Sequence, residues 1–487
     1  MTAIDWIVLA GYGGVVLVLG LISSRNAKDE TDYFLAGRKE GWMPVAASTW
    51  ATKLSALTFI GVPGAAISGN FAYLQLWFGS FLAAYLVAFF FIPEFYRLRV
   101  STIYEYLGRR IGPETRLGGT MVFIVSRCLA SAVRLAGCAI AVSVFFDLSL
   151  NAAIALIAGL AVAYVLSGGL RAVIWTDCLQ LALFLGGAIA TIVFIGLKLP
   201  DGFAQIISTG AANDKFRIFD FSLSFGDATT FWMGNLFAVV LGVATGGADQ
   251  DIAQRALACP TARKAKIALL TAGVGDLIST FLFLSAGIAI FSYYQAFPHD
   301  TVTALIAQNR HDYLFPHFIS HDLPEGLRGA LIAALFAAAM SSLDSALSGL
   351  ASSAYFDLGF MHRSGKKTDL AGPRLLVIVF AIILALIASS FGAQPSILWF
   401  GLKIMGYTYG GLLGLFLLAL FFEKTADDRS CLIAVLSSTP VVVIATNGWL
   451  AVPAVAWPWA VIIGVTWTCV SAILLSLARR RTELNAP

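Results

Sequence analysis

A stretch of small and polar residues, FAAAMSSLDSALSG (336–349), lies inside a long apolar segment of the chain. In a helix, Ser341, Ser342 and Ser345 would occupy one sector, because residues three and four positions apart are neighbours on the helix surface. Asp344 adds a carboxylate to this sector's edge. Hydroxyl and carboxylate oxygens are the ligands that hard cations prefer. The stretch therefore predicts a cation site.

Helix packing is the alternative interpretation of the same serines. Small residues let membrane helices approach closely, and serine hydroxyls can bond to carbonyls of their own helix. Packing of this kind does not require a carboxylate, which is costly to place in a membrane. The presence of Asp344 therefore favours the cation site.

Other ionisable residues also lie within apolar segments of the chain. Each costs about 2.5–3.5 kcal/mol at the centre of a membrane helix, so each is expected to face a cavity or a partner. Together with Asp344 they are Lys53, Arg127, Arg134, Asp177 and Lys403. Arg127 and Arg134 are seven residues apart and share one face of a helix. They either face the interior or reach the end of a neighbouring helix.

The composition predicts an all-α integral membrane protein. Of the 487 residues, 59% are hydrophobic and 12% are charged, whereas soluble domains carry about 25% charged residues. Membrane helices need about 20 apolar residues, and continuous rather than alternating apolar runs favour helices over a barrel. About 13 such segments are predicted, at 5–23, 42–67, 71–95, 117–146, 150–168, 174–198, 229–257, 265–294, 325–357, 375–392, 396–422, 431–448 and 453–477.

Basic residues in the connecting loops predict the orientation. With the N-terminus outside, the loops that fall inside hold 23 Lys and Arg residues, and the outside loops hold five. The inner set includes Arg255, Arg25, Lys28, Arg363, Lys366, Lys367 and Lys424. Basic residues accumulate in cytoplasmic loops of membrane proteins. This distribution predicts an external N-terminus and a cytoplasmic C-terminus, and it supports the count of segments.

Two of the apolar segments contain helix-interrupting residues. The second contains LTFIGVPGAAISG (57–69), with Pro63, and the seventh contains LGVATGGADQ (241–250), with three glycines. Proline removes a backbone donor from a helix. Interrupted helices at matching places in two halves are typical of inverted-repeat transporters, which bind their ligands at the interruptions. Close packing through glycine is the alternative explanation.

Four stretches together resemble the sodium/solute symporter family. They are STIYEYLGRR (101–110), SGGLRAVIWTDCLQ (167–180), DQDIAQRALACPTARKAK (249–266) and the FAAAMSSLDSALSG stretch. The resemblance implies one transmembrane transporter domain over 1–487, with a five-plus-five inverted repeat. Repeat 1 would cover about 42–198 and repeat 2 about 229–422, after one extra N-terminal helix and before two C-terminal helices.

The resemblance also implies two ion sites. The main sodium ligands would be carbonyls of Ala51, Leu54 and Ala338 and hydroxyls of Ser341 and Ser342. Some members hold a second sodium ion near the matching residues Asp177 and Ser345. Asp344 stands where those members have a serine, so the two carboxylates either hold sodium, bind a proton or pair with Lys53.

Substrate residues are implied in the same way. Lys53 lies beside the proposed sodium ligands and either binds an anionic substrate, serves as a counter-ion for Asp177 or Asp344, or faces water. Ser55 and Thr58 match positions that contact substrate in some members. Further candidates for the cavity are Trp77 and Thr245. The second interrupted helix lacks the asparagine that sugar-binding members often use, which disfavours a neutral sugar.

The expected function is sodium-coupled symport, by alternating access, of a small polar organic solute such as an organic acid, a sugar acid, a sugar or an amino acid. The expected location is a bacterial inner membrane, with sodium and the solute as ligands, the lipid bilayer as environment and no nucleic acid or obligatory protein partner. One alternative is a proton-coupled transporter that uses Asp177 and Asp344. Another is a non-transporting sensor, although sensors usually carry a long C-terminal extension and this chain ends at RRRTELNAP. An enzyme is disfavoured because the loops show no metal-binding motif, nucleophile elbow or phosphate loop.

Overall fold

The computed structural model describes residues 1–24, 30–55, 57–359, 371–391, 394, 396–422, 425–449 and 454–484. All secondary-structure elements in these ranges are helical, which confirms the predicted all-α class. The α-helices are α1 (Ala3–Ser24), α2 (Glu30–Leu35), α3 (Trp42–Lys53), α4 (Val62–Ser68), α5 (Trp77–Leu86), α6 (Ile92–Leu98), α7 (Ile103–Arg110), α8 (Pro113–Phe146), α9 (Leu150–Lys198), α10 (Gly202–Ala212), α11 (Phe231–Gly247), α12 (Gln250–Leu257), α13 (Ala262–Ala296), α14 (Asp300–Ala307), α15 (Leu314–His321), α16 (Leu327–Asp357), α17 (Ala371–Ser390), α18 (Ile397–Phe421), α19 (Asp428–Asn447) and α20 (Ala460–Leu484).

Nine helical stretches in the described ranges are long and apolar enough to cross a membrane. Two bent helix pairs raise this number to 11 if each pair forms one span. Shorter apolar stretches, Ala3–Val16 and Leu150–Ala163, lie where two more segments were predicted. The chain is thus a multi-span membrane protein, while the count of 13 stays a prediction.

The first bent pair consists of α3 and the helical stretch Thr58–Ser68, which ends with α4, and the two axes differ by 61°. α3 ends at Lys53, and Leu54 has an extended backbone with φ −75° and ψ 119°. Pro63 lies in the first turn of α4, where a missing backbone donor costs little. The helix is therefore interrupted upstream of the proline and glycines that suggested the interruption.

The second bent pair consists of α11 and α12, with an angle of 58°. α11 ends at Gly247, and the Asp249 carboxylate caps α12 by accepting the Asp251 N–H at 2.9 Å. A Cβ atom on Gly247 would lie 2.7 Å from the Phe91 ring. This glycine allows close packing at the break, while the aspartate begins the next helix.

α13 packs tightly across both halves of the first bent pair. A Cβ atom on Gly275 would lie 2.3 Å from the Trp50 ring of α3, and one on Gly287 would lie 2.5 Å from the Pro63 carbonyl oxygen of α4. Only a residue without a side chain fits at these two crossings. The crossings fix the position of Asp276 beside the end of α3.

α16 is the central helix of the protein. It contacts α1, α3, α8, α9, α12 and α17, and 89% of its most apolar window is buried. Because no side of its middle faces lipid, Ser341, Ser342 and Asp344 all point into protein. Neighbouring helices thus cover α16 on all sides, and its polar residues do not face lipid, where they would have no hydrogen-bond partners.

The segment between α13 and α16 contacts both the first bent pair and α18. The Asp312 carboxylate accepts the Ile397 N–H at 2.6 Å, at the first residue of α18. Gly64 of α4 makes room for this carboxylate, since a Cβ atom there would lie 2.9 Å from it. Burial raises the pKa of Asp312 to about 6, although the hydrogen bond from Ile397 opposes this shift.

One basic residue that was assigned to an inner loop is placed elsewhere. Arg255 lies on α12 and is 1% exposed, so it is an interior residue and not part of the loop charge. Further basic residues of the predicted inner loops lie outside the described residues: Arg25, Lys28, Arg363, Lys366, Lys367 and Lys424.

We expect Gly287→Ala to lower the melting temperature of the purified protein in detergent. The added methyl group would meet Pro63 and Ala66 at 2.5 and 2.9 Å, and overpacking of this kind typically costs about 1–3 kcal/mol. Gly186→Ala is the matched control, because no described heavy atom lies within 4 Å of its Cβ position. Equal melting temperatures for the two variants would contradict the tight crossing of α13 and α4.

Candidate functional site

The end of α3 and the middle of α16 form the main predicted ion site. A helix end leaves carbonyls of its last turn without partners in the helix, and Ala51 and Leu54 lie at this end of α3. α16 contacts α3 and carries Ser341, whose hydroxyl donates to the Ala338 carbonyl at 3.2 Å. The hydroxyls of Thr52 on α3 and Ser345 on α16 are 3.5 Å apart, so the two helices are close in the region where the ligands are predicted.

Ser342 has a hydroxyl that is available for a ligand. It is 1% exposed, and its Oγ has no hydrogen-bond partner in the described part of the chain. Leaving a buried hydroxyl without a partner costs free energy. A small cation that accepts oxygen ligands would satisfy this atom, so the residues fit a sodium ion.

The second predicted ion site contains an arginine that sequence reasoning missed. Arg255 lies 3.1 Å from the Asp177 carboxylate, and it also donates to the Ser345 hydroxyl. Ser48 donates to the same carboxylate oxygen of Asp177 at 2.5 Å. Asp177 is therefore neutralised by Arg255, and the hypothesis that Lys53 is its counter-ion is wrong.

Asp344 is the carboxylate of this region that remains without an ion pair in the described residues. It is 1% exposed, and the charges of Asp177 and Arg255 act on it. Its Oδ1 has no hydrogen-bond partner there, and the same holds for Oδ1 of Asp177. Two unsatisfied carboxylate oxygens near a single guanidinium favour the binding of a further cation.

A buried charge network continues from this region toward the cavity. Asp251 accepts from Arg255 at 2.6 Å and also pairs with Arg127. Arg127 lies 3.1 Å from Asp249, which accepts the Tyr409 hydroxyl at 2.7 Å. The side chains of this network are at most 2% exposed. Arg127 therefore faces the protein interior and does not reach out to the end of a neighbouring helix, which were the two alternatives predicted from the sequence.

A cavity of about 230 Å³ lies at the two interrupted helices. Its lining includes four predicted residues, Lys53, Ser55, Thr58 and Thr245. Trp77 lines an adjoining cavity of about 160 Å³ instead, and its indole N–H donates to the Gly273 carbonyl at 2.8 Å. Lys403 is exposed and lies over the Tyr407 ring at 5.6 Å, away from both cavity linings.

Arg134 also lines the larger cavity. Within the described ranges, its Nε and Nη1 atoms have no hydrogen-bond partner, although both are buried. Arg127, two turns earlier on α8, is instead paired with two aspartates. Arg134 is thus a cation at the cavity lining that makes no ion pair among the described residues, and a guanidinium of this kind can pair with a carboxylate.

Lys53 is paired with a residue that the sequence analysis omitted. Its ammonium lies 2.7 Å from the carboxylate of Asp276 on α13. Asp276 lies in the apolar segment 265–294, so the rule that identified the other intramembrane charges could have found it. The pairing also excludes Asp344 as the ion-pair partner of Lys53 in this structure.

The chain is similar in sequence to known transporters. Residues 33–436 match the profile of the Sodium:solute symporter family. The sodium/sialic acid symporter SiaT of Proteus mirabilis is 31% identical over 91% of this chain and 90% of its own length. The human sodium-coupled monocarboxylate transporter 2 is 25% identical over 86% of this chain and 68% of its own length.

A solved structure supports the same relationship. The substrate-bound outward-open state of a Na⁺-coupled sialic acid symporter superimposes with a TM-score of 0.85 at 27% identity, over 98% of both chains. These proteins are transporters and not enzymes. The chain therefore belongs to the sodium:solute symporter family, as an integral membrane protein that transports a small organic solute together with sodium.

Proposed function

We propose that the transported solute is a small organic anion whose carboxylate binds Arg134. The observation that carries this proposal is a buried guanidinium that lines the cavity while Nε and Nη1 lack hydrogen-bond partners among the described residues. An arginine can bind a carboxylate through two parallel hydrogen bonds. The names of the relatives agree with an acid, since they include sialic acid and monocarboxylate transporters.

The main sodium ion is proposed to bind between α3 and α16. Its ligands would be the carbonyls of Ala51, Leu54 and Ala338 and the hydroxyls of Ser341 and Ser342. An ion held by both helices would favour the conformation in which they are close, and substrate binding would then favour inward rotation. Each sodium ion that moves inward gains about 2.3 kcal/mol per 100 mV of membrane potential.

A second cation is proposed at Asp344, with Oδ1 of Asp177 and the hydroxyl of Ser345 as further ligands. The charges of the buried groups support two cations in total. The interior region holds four aspartates and three arginines: Asp177, Asp249, Asp251, Asp344, Arg127, Arg134 and Arg255. This leaves one excess negative charge, to which an acidic solute would add another. Two sodium ions would balance the excess charge of the protein and the charge of the solute.

We further propose the repeat organisation, the membrane location and the orientation of the transporter. We expect two inverted repeats at about 42–198 and 229–422, and an inner membrane location with the N-terminus outside. Ser342 and Asp344 have oxygen atoms without hydrogen-bond partners among the described residues, and Arg134 lines the cavity. These features favour a transporter over a non-transporting sensor. The alternative is a transporter of the same fold that is driven by protons instead of sodium and uses Asp177 and Asp344. No protein partner or nucleic acid is required for the proposed cycle.

Removing the Ser342 hydroxyl should raise the Kd for sodium about 10–100-fold. A hydrogen bond to a charged group contributes about 1.5–3 kcal/mol, and we expect a similar loss for one oxygen ligand of the ion, at tenfold per 1.4 kcal/mol. The sodium-dependent rise in melting temperature of Ser342→Ala gives the Kd. Ser352→Ala is the control, since this buried serine of α16 bonds to the Gly349 carbonyl. An unchanged sodium Kd in Ser342→Ala would count against the site.

Replacing Arg134 should weaken the binding of acids about 10–100-fold, because charge-assisted hydrogen bonds to the carboxylate are lost. Isothermal titration of Arg134→Gln with sialic acid and with pyruvate, at saturating sodium, measures this effect. Lys403→Gln removes a cation outside the cavity and should bind both acids as the unaltered protein does. If Arg134→Gln keeps full affinity for every acid that binds, the proposed carboxylate site is wrong.

Replacing Asp344 should reduce the number of sodium ions that accompany each solute from two to one. The reversal potential of uptake in proteoliposomes, at varied sodium and solute gradients, gives this ratio for Asp344→Asn. A ratio that stays at two places the second sodium ion elsewhere. Uptake that a pH gradient drives without sodium, and that Asp344→Asn abolishes, would establish the proton-coupled alternative instead.

A further inference from the structure

The ion pair of Lys53 and Asp276 lies in the substrate cavity and has no part in the proposed ion sites. We propose that it recognises hydroxyl or amide groups of the solute, at a distance from the carboxylate on Arg134. The transported class would then be hydroxylated or N-acylated acids, such as sugar acids, in preference to simple apolar acids. This inference rests on the proposed function and narrows its substrate class.

Close packing holds the pair in place. The Trp50 ring of α3 fills the space above Gly275 of α13, where a Cβ atom would lie 2.3 Å from the ring. The Trp50 indole N–H also donates to the Ser279 hydroxyl, at 3.3 Å. Because Asp276 follows Gly275 directly, this crossing places its carboxylate 2.7 Å from the Lys53 ammonium.

The free surface of the pair faces the cavity. The side chains of Lys53 and Asp276 are 31% and 20% exposed, and both line the larger cavity as well as the adjoining one. Three hydroxyl-bearing residues, Thr58, Tyr73 and Ser80, line both cavities with them. The pair therefore belongs to a polar wall between the two cavities.

The chemistry of an ion pair suits hydroxyl and amide groups. A lysine ammonium has three donors, of which Asp276 takes one, and a carboxylate accepts several hydrogen bonds. A hydroxyl or an amide both donates and accepts, so it can bond to both members of the pair. A carboxylate only accepts and would meet the negative charge of Asp276. The acid group is thus directed to Arg134, and the rest of a polar solute to the pair.

Stability does not explain the pair. Partly exposed ion pairs add little to the stability of a folded protein, while each charge in a membrane segment is costly. Neither residue contacts the network of Arg127, Asp251 and Arg255 through a hydrogen bond or an ion pair of the described chain. Recognition of a polar solute gives both charges a function.

The test compares two ring acids that differ in hydroxyl groups. D-glucuronate and cyclohexanecarboxylate each carry one carboxylate on a six-membered ring, but only the former has hydroxyls. The double variant Lys53→Gln with Asp276→Asn removes both charges and leaves neither unpaired. Binding of both acids is measured by isothermal titration at saturating sodium, with the sodium-dependent melting shift as a check of folding.

We expect the double variant to raise the Kd of glucuronate at least tenfold and that of cyclohexanecarboxylate less than twofold. Arg97→Gln with Glu94→Gln, which removes the ion pairs of Glu94 with Arg97 and Arg110 outside both cavity linings, should leave both Kd values unchanged. Equal changes for the two acids, or no change for either, would overturn the inference.

The outcome also separates this inference from the proposed function. If the unaltered protein binds both acids and Arg134→Gln weakens both, the acid site stands, and the double variant alone decides on the ion pair. If the unaltered protein binds neither of these acids, nor sialic acid or pyruvate, the proposed function and this inference both fail. The swapped variant, Lys53→Asp with Asp276→Lys, should restore part of the glucuronate affinity, because it returns a donor and an acceptor to the same wall.

Discussion

The buried carboxylate of Asp251 holds the interior of this transporter together, because it pairs with two arginines from different helices. Arg127 of α8 lines the larger cavity, and Arg255 of α12 contacts Asp177 of α9 and Ser345 of α16. Removal of one partner of a buried ion pair typically costs about 3–5 kcal/mol, because it leaves the other charge uncompensated. The four helices must therefore keep this arrangement, which sets the geometry of both the cavity and the second ion region.

The same network gives a physical route between the ion and substrate sites. A cation that binds near Asp344 would weaken the hold of Arg255 on Asp177, since both positive charges compete for the same carboxylates. Arg255 could then interact more strongly with Asp251, which would change the charge that Arg127 experiences at the cavity. Coupling between ligands requires that each favours the same conformation. A shared, fully buried carboxylate is suited to this role because it has no water to replace a lost partner.

The sequence predicted the fold class, the interrupted helices and the polar stretch of α16, because these features depend on local composition. Partners that meet across the fold were not predictable in this way. One of the alternatives for Lys53 was pairing with Asp177 or Asp344, yet the packing of Gly275 on Trp50 brings Asp276 within reach instead. Arg255 was placed in a loop since it lies near the end of a segment, and the 58° bend before α12 turns it inward. Both corrections come from helix crossings that periodicity does not encode.

The interruption after α3 explains how the short segment 51–55 can contribute both to the proposed sodium site and to the cavity lining. Ala51 and Leu54 lie where the helix ends, so their carbonyls are candidates for sodium, while Lys53 and Ser55, their neighbours in sequence, line the substrate cavity. Residues this close along the backbone cannot move independently. An ion that fixes the first pair against α16 must also fix the second pair in the cavity wall, and loss of the ion frees both. If sodium binds at Ala51 and Leu54 as proposed, the covalent continuity of residues 51–55 would make substrate affinity depend on sodium.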